Sequence, residues 1–459
     1  MIFNIQYTDQ YLHNNTGLSI ISKLIHSVKP ESIFKAHGIS TSSRPKDFSD
    51  QDIIFSTLAL LSLGQPHFES IDLFKSDRLF KKALGLDKLP SKETLRQRLD
   101  QIAQYNALAL EAFCKWNFLF LQKHARPLCI KGEQMIPVDF DVTVLDNTGS
   151  HKQGVEQTYQ KGIKGFAPMM TNIGRQGYLL NHEFRKGSVH SNCAGTYEYI
   201  IKSMRLARSL CPNKTLLARL DSGNDAEKNL VGLSQLKNTY YLIKHHLKGR
   251  NAIVSKQRLT QYVLDNYTSK EVIDKNTIRY FAEQVSLVGM YDENGNFIEK
   301  ECRKILSVVQ INNDLNTGQP LLIPYLSLHL WRTNLPKTDF SPQDVIHLYK
   351  DHATSEQFHS EFKTDLDIEK LPSAKFKTNE LIVAMAQLVF NMLRVIGHEA
   401  LSSDLLNPKG EKSRLRIRTI LLKIILFPCK LIRRNKIWTI ALPRSNPLSI
   451  LFRQIYLAI

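Results

Sequence analysis

The stretch MIPVDFDVTVLD, residues 135–146, buries its own problem: two carboxylates sit inside an apolar, β-branched run. Its period-two alternation predicts a strand with Asp139 and Asp141 on one face. A carboxylate within a sheet or at a strand end costs free energy unless it is paired or holds a cation. The chain around it repeats the difficulty. GYLLNHEFRKGSVHS continues as strand and turn, and CAGTYEYIIKSMRLARSL is helical in pattern. KTLLARLDSGNDAEKNL then reads as a buried strand ending in Asp221, followed by a Ser-Gly turn and a helix. This β-β-α-β order predicts an α/β core with acidic groups at its strands.

The segments on either side differ. Residues 1–130 read as a helical domain, with SDQDIIFSTLALLSL opening on capping residues. In LPSKETLRQRLDQIAQYNALALEAF, Ser91 is the candidate N-cap. Lys92, Arg96 and Arg98 decorate the start of that helix, as a DNA-contacting helix or an ordinary solvated one would have them. Residues 131–235 form the first part of the core. From 236 to 335 the pattern turns strand-rich, with turns at Asn294-Gly295 and Thr317-Gly318, and predicts a β-rich insertion. Residues 336–400 return to the core, and NELIVAMAQLVFNMLRVIG is a helix apolar enough to pack inside it. Residues 401–459 form a basic C-terminal region.

Charge narrows the partner. The 459 residues carry a formal net charge of +18, which favours a polyanion, nucleic acid before membrane. Half of that excess lies between Lys409 and Lys436, where ten basic residues, including Arg414, Arg416, Arg418, Arg433 and Arg434, face Glu411 alone. The six cysteines form no CxxC pair, which predicts reduced thiols and no zinc finger. MIFNIQYTDQYLHNN lacks the basic and apolar regions of a signal peptide. TILLKIILFPCKLI is too short and interrupted for a membrane span and predicts a buried strand or helix. The absence of a Walker-type Gly-rich loop implies no nucleotide cofactor.

In LYKDHATSEQFHSEFK, residues 348–363, Tyr349, His352, Glu356 and Lys363 recur at intervals of three, four and seven. At about 100° per residue they share one face of a single predicted helix, with Phe358 and Phe362 opposite. If that helix crosses the sheet, Glu356 joins Asp141 and Asp221 as an all-oxygen set suited to Mg²⁺ or Mn²⁺. Two such ions per site would serve phosphodiester chemistry. RKGSVHSNC offers His190 and Cys193 without a second pair, and reads as a turn near the site with Arg185 or His190 beside DNA. Trp331 is either a base-stacking aromatic or core.

On these residues the chain resembles a DDE transposase of the IS1380 family, within the IS4-related group. VDFDVT is similar to the first-aspartate strand and LLARLDSGNDAE to the second, and RTNL resembles the end of the family's insertion. The helix resembles the signature Tyr-x2-Arg-x3-Glu-x6-Lys, with His352 where the family has Arg. LPSKETLRQRL, DLDIEKLPSAKFKTNELIVAMAQLVFNML and the basic tail extend the likeness across nearly the whole chain.

The resemblance implies an RNase H-like mixed-sheet core interrupted by a β-rich insertion, with a helical N-terminal DNA-binding domain. It implies Asp141, Asp221 and Glu356 as catalytic metal ligands, with Asp139 in reserve, and Tyr349, His352 and Lys363 as DNA contacts. It further implies cut-and-paste transposition on double-stranded DNA by a homodimer, in the bacterial, nucleoid-associated cytoplasm. A metal-dependent nuclease of the same fold and a non-catalytic repressor derived from a transposase are the rival readings.

Overall fold

The computed structural model describes residues 5, 7–41, 48–130, 132–292, 294–314 and 317–459, without the Asn106 side chain. The start of the expected N-terminal domain and Lys131 lie outside the described residues. A nine-stranded mixed sheet organises the chain. Its strands are β1 (Met135–Val142), β2 (Met169–Ile173), β3 (Tyr178–Glu183), β4 (Thr215–Leu220), β5 (Thr239–His245), β6 (Ser269–Asp274), β7 (Thr277–Tyr291), β8 (Phe297–Asn313) and β9 (Pro320–Thr333). They lie in the order β6-β7-β8-β9-β5-β4-β1-β2-β3.

Strand β1 runs parallel to β4 and β4 parallel to β5, so Asp139 stands beside Arg219 in register. The Thr196–Leu210 helix packs against β1 and β4, the crossover that a parallel pair requires. The meander β1-β2-β3 and the antiparallel strands β6–β9 extend the two sides. Strand β9 pairs antiparallel with β5, so the strand-rich region continues the core sheet. The expected boundary at 236 falls before β5, which the register joins to β4, and the Ala252–Asn266 helix precedes the long hairpins.

The Phe376–Ala400 helix is the centre of the core and packs on the helices Asp50–Ser62, Lys92–Gln104 and Asn106–His124 and on β3. It is the one helix among the described residues long and apolar enough to cross a membrane, and 94% of its apolar window is buried inside the fold. The N-terminal helices therefore share one hydrophobic core with the sheet and with the C-terminal Leu451, Phe452 and Ile455. The ends of the chain meet again where Tyr11–His13 pairs with Cys429–Arg434. TILLKIILFPCKLI supplies the buried Ile420, Ile424 and Ile425 of a short helical segment and then the start of the strand Cys429–Arg434. All six cysteines are free.

The expected single helix over 348–363 is instead four pieces. An α-helix, Pro342–Lys350, passes through a 3-10 turn, Asp351–Ala353, into the helix Thr354–Ser360 and a π turn, Glu361–Asp365. Tertiary ion pairing accompanies the departures from regular pitch. His352, in the tight turn, bonds Asp139 of the sheet. In the wide turn, Glu361 accepts from Arg394 Nη2 at 2.9 Å and from Ile417 N at 3.2 Å, and pairs with Arg414. Asp365 accepts from Arg416 Nε at 3.0 Å and from Arg418 N at 3.0 Å. A uniform helix is set by local bonds alone, and π turns within helices are rare and frequently lie at functional sites.

Candidate active site

The ends of β1 and β4 and the broken helix enclose one cleft of about 830 Å³. Asp141, Asp221 and Glu356 all line it, together with Tyr349, His352 and Lys363. Each side chain arrives by a different local device. Asp141 is held at the outer end of β1, where its Oδ1 accepts from Val142 N at 2.8 Å and its Oδ2 lies 3.5 Å from Ser355 Oγ. Asp221 ends β4, and Asn224 Nδ2 donates to its Oδ1 at 2.7 Å from the following 3-10 turn. Gly223 belongs to this turn because a Cβ there would lie 2.8 Å from Ser191 Oγ and 3.2 Å from Asp221 Oδ1. Glu356 is exposed on the opposite wall.

Two residues apart on β1, Asp139 and Asp141 have opposite surroundings. Asp139 is 2% exposed and is clasped by Arg219, with Nε to Oδ1 at 2.6 Å and Nη2 to Oδ2 at 2.8 Å. His352 Nδ1 adds a bond to the same Oδ1 at 2.9 Å. Burial would raise this carboxyl, but Arg219 and His352 outweigh it and hold it at about 2. Arg219 Nη1 also donates to Leu348 O at 2.8 Å, tying the Pro342–Lys350 helix to the sheet. Asp141 lacks such a partner. Burial pushes it up to about 6, against the pull of His352 and with the added push of the Asp221 charge.

The other residues expected at the site divide between cleft and scaffold. Lys363 Nζ donates to Val144 O at 3.2 Å from within the cleft. Tyr349 donates its hydroxyl to Leu220 O at 3.3 Å, and burial followed by the charges of Asp221, Asp141 and Asp139 keeps the phenol neutral. His352 is buried and turned onto Asp139. Trp331 is 7% exposed, in a core cluster with Leu217 and Leu242, and meets the Tyr349 ring edge-on at 6.2 Å. Arg185 is buried against Glu183 and bonds Ser191 O, and His190 is exposed.

The basic residues of the N-terminal helix and of the C-terminal region expected to meet DNA lie outside this cleft, and most have acidic partners. Lys92 sits 3.9 Å from Glu93, Arg96 4.0 Å from Asp100 and Arg98 2.9 Å from Asp50. Their helix is capped as expected, with Ser91 accepting from Thr94 N. Arg414 and Arg416 are held by Glu361 and Asp365, whereas Arg418, Arg433 and Arg434 have exposed side chains, with Arg433 stacked over Trp438.

Further residues line the cleft without a signal in the sequence pattern. Tyr159 comes from a loop carried by the small sheet of Leu145–Asp146, Lys164–Phe166 and Glu156–Gln157. Burial raises its hydroxyl, and Asp141, Asp221 and Glu356 each raise it further, so it lies in the field of all three carboxylates. Lys244 and Lys350 bring cations to the rim. His359 sits beneath, its Nδ1 3.5 Å from Asp141 Oδ2, with burial and then Lys363 and His352 pushing it down to about 3. The Glu-x2-His spacing from Glu356 was the one available hint of His359.

Among the described residues no group of three or more His, Cys, Asp or Glu side chains lies close enough together to hold a metal ion as placed. The donor chemistry nevertheless fits a hard divalent cation. Asp141 and Asp221 repel one another across the cleft, the condition that a cation between carboxylates relieves.

Acidic groups at the ends of two parallel strands thus face a carboxylate-bearing helix across a cleft lined by both charges. The family model for the transposase DDE domain, group 1, matches residues 8–459, and the chain belongs to that family. Among solved structures the chain is similar to a piggyBac transposase synaptic complex with hairpin DNA, determined by cryo-EM. That match has 12% identity and a TM-score of 0.40, covering 89% of this chain and 79% of the other. No curated protein matches the chain.

Proposed function

We propose that the protein is a cut-and-paste transposase of the IS1380 type that cleaves double-stranded DNA at element ends and joins the freed 3′-hydroxyl to target DNA. The observation that carries this reading is the convergence of Asp141, Asp221 and Glu356 on one cleft whose rim carries Lys244, Lys350 and Lys363. Asp141 and Asp221 would hold Mg²⁺ or Mn²⁺ from the sheet and Glu356 from the facing wall. Bound there, two such ions supply Lewis acidity to the scissile phosphate and to the attacking hydroxyl.

The chain's own groups do the rest. The three lysines attract the phosphate backbone and neutralise charge building at the phosphorus. The Asp139–Arg219–Leu348 clamp positions the segment carrying Glu356 over the sheet, so its guanidinium acts as scaffold. His352 spends its Nδ1 on that clamp. In the first step water attacks phosphorus and the 3′-oxygen leaves with a proton. In the second, the 3′-hydroxyl attacks a target phosphodiester and displaces its 3′-oxygen. The protein acts on DNA in the cytoplasm as a homodimer.

The test is cleavage of a plasmid carrying the DNA that flanks this coding sequence, in Mg²⁺ or Mn²⁺, by wild type and Glu356→Gln. Discrete cuts and joined products that vanish in the variant support transposition, and cuts without joining indicate a nuclease. Flank binding with no cleavage by either protein indicates a repressor.

A further inference from the structure

A second groove, of about 390 Å³, lies on the insertion between β5, β9 and the Ala252–Asn266 helix. Lys244 lines both this groove and the catalytic cleft. In the β5–β9 ladder Lys244 pairs with Trp331, whose ring meets Tyr349 of the catalytic segment on one side and His329 of the groove on the other. Rings spaced 5.3 to 6.2 Å apart thus run from His352 through Tyr349 and Trp331 to His329. The two depressions are joined by packed ring side chains.

The lining is cationic. Lys244, Lys256, His246 and His329 border the groove, and no acidic residue lines it among the described residues. Neither Lys244 nor Lys256 takes part in a described ion pair, unlike exposed lysines elsewhere such as Lys228 on Glu198 or Lys375 on Asp100. His329 is pushed down by burial and by the charges of Lys244, Arg279 and Lys256, so these cations act on a common volume. Leu247, Leu328 and Leu330 give it apolar walls, suited to sugar faces between phosphates. A groove with uncompensated positive charge, open to solvent and continuous with a phosphodiester-cleaving cleft, is complementary to a polyanion.

We propose that this groove holds the phosphodiester backbone of DNA leaving the catalytic cleft past Lys244, with Lys256, His246 and His329 as its contacts. The proposal rests on the transposase reading and adds a path for the DNA beyond the cleaved bond. Two DNA segments have this chemistry, the flank outside the element end and the target.

The experiment measures equilibrium binding by fluorescence anisotropy across a salt series. The full-length protein is wild type, Lys256→Ala, which removes a cation that lines the groove and not the cleft, or the control Lys228→Ala. The probes are the coding sequence's terminal duplex with its flank, the same duplex trimmed of flank, and an unrelated duplex. Lys256→Ala is expected to lose about threefold in affinity and roughly 1 in the slope of log K against log salt, as one lost phosphate contact requires. A loss confined to the flanked duplex assigns the groove to flank DNA, and a loss on the unrelated duplex assigns it to target. Lys228→Ala should match wild type, and unchanged thermal melting excludes misfolding as the cause. Binding by Lys256→Ala equal to wild type on all three duplexes overturns the groove while leaving the transposase reading intact. Wild type that binds no duplex overturns both.

Discussion

Asp139 and Asp141 share a strand face and differ in everything around them. Asp139 lies in the sheet interior with both oxygens taken by Arg219 and one also by His352. Asp141, one pleat further out, faces Asp221 across an open cleft and is pushed up to about 6. The inner position uses charge to hold two layers together, and the outer leaves charge uncompensated where a ligand can answer it. Strained electrostatics at one end of a strand is thus supported by satisfied electrostatics at the other, a common division between site and scaffold.

The sharpest way to break this contrast is at the cleft. Asp221→Asn should lower DNA cleavage by about 10³-fold or more, since a lost carboxylate removes stabilisation worth several kcal/mol, while urea unfolding changes little. Cleavage by Asp221→Asn at a rate near wild type would contradict the assignment. The scaffold should behave in the reverse sense. Asp139→Asn or Arg219→Met leaves a buried charge without its partner and should cost about 3–5 kcal/mol in urea denaturation. The double change Asp139→Leu/Arg219→Met should recover most of that loss, and a loss equal to the sum of the singles would refute the clamp.

In chelator-treated protein the two carboxylates should also respond to pH with opposite signs. Asp139, held at about 2, adds stability above its unfolded pKa near 4, lost as pH falls from about 4 through 2. Asp141, raised to about 6, is ionised first in the unfolded chain. It therefore withdraws about 3 kcal/mol as pH rises from about 4 to 6. Asp141→Asn should flatten the decline between pH 4 and 6 in a urea series, and an unchanged decline would place it elsewhere. The smallest effect belongs to the exposed tail. Arg434→Ala should leave stability within about 0.5 kcal/mol and lower the salt slope of DNA binding by about 1. Arg416→Ala should instead be seen in unfolding, because Arg416 is bonded to buried Asp365.

Much of the architecture was legible because it follows from period and punctuation. The strand that starts at Met135 (it ends at Val142, short of the expected 146, where Leu145–Asp146 joins a separate small sheet), the strand before Asp221, the Ser91 cap and the apolar helix at 379–397 each depend on residues adjacent in sequence. The placement of Phe358 and Phe362 in the core followed from the same periodicity. The pattern did not reveal the four-part helix over 342–365, because its 3-10 and π turns accompany bonds to Asp139, Arg394 and Arg416, all distant in sequence. The inclusion of Tyr159 and Lys244 in the cleft was equally hidden, since an isolated tyrosine in a loop and a lysine in a strand carry no period.

By itself the sequence determined that acidic residues would stand in apolar strands, that a carboxylate would ride one face of a late helical segment, and that a large positive charge would need an anionic partner. Those are properties of composition and spacing, and they survive any arrangement of the pieces. Only the tertiary structure decided which charges are spent internally. Arg219 neutralises Asp139, Glu361 and Asp365 consume Arg414 and Arg416, and Lys244 with Lys256 forms no described ion pair. Coulomb energy depends on distance and on the surrounding medium, and folding sets both.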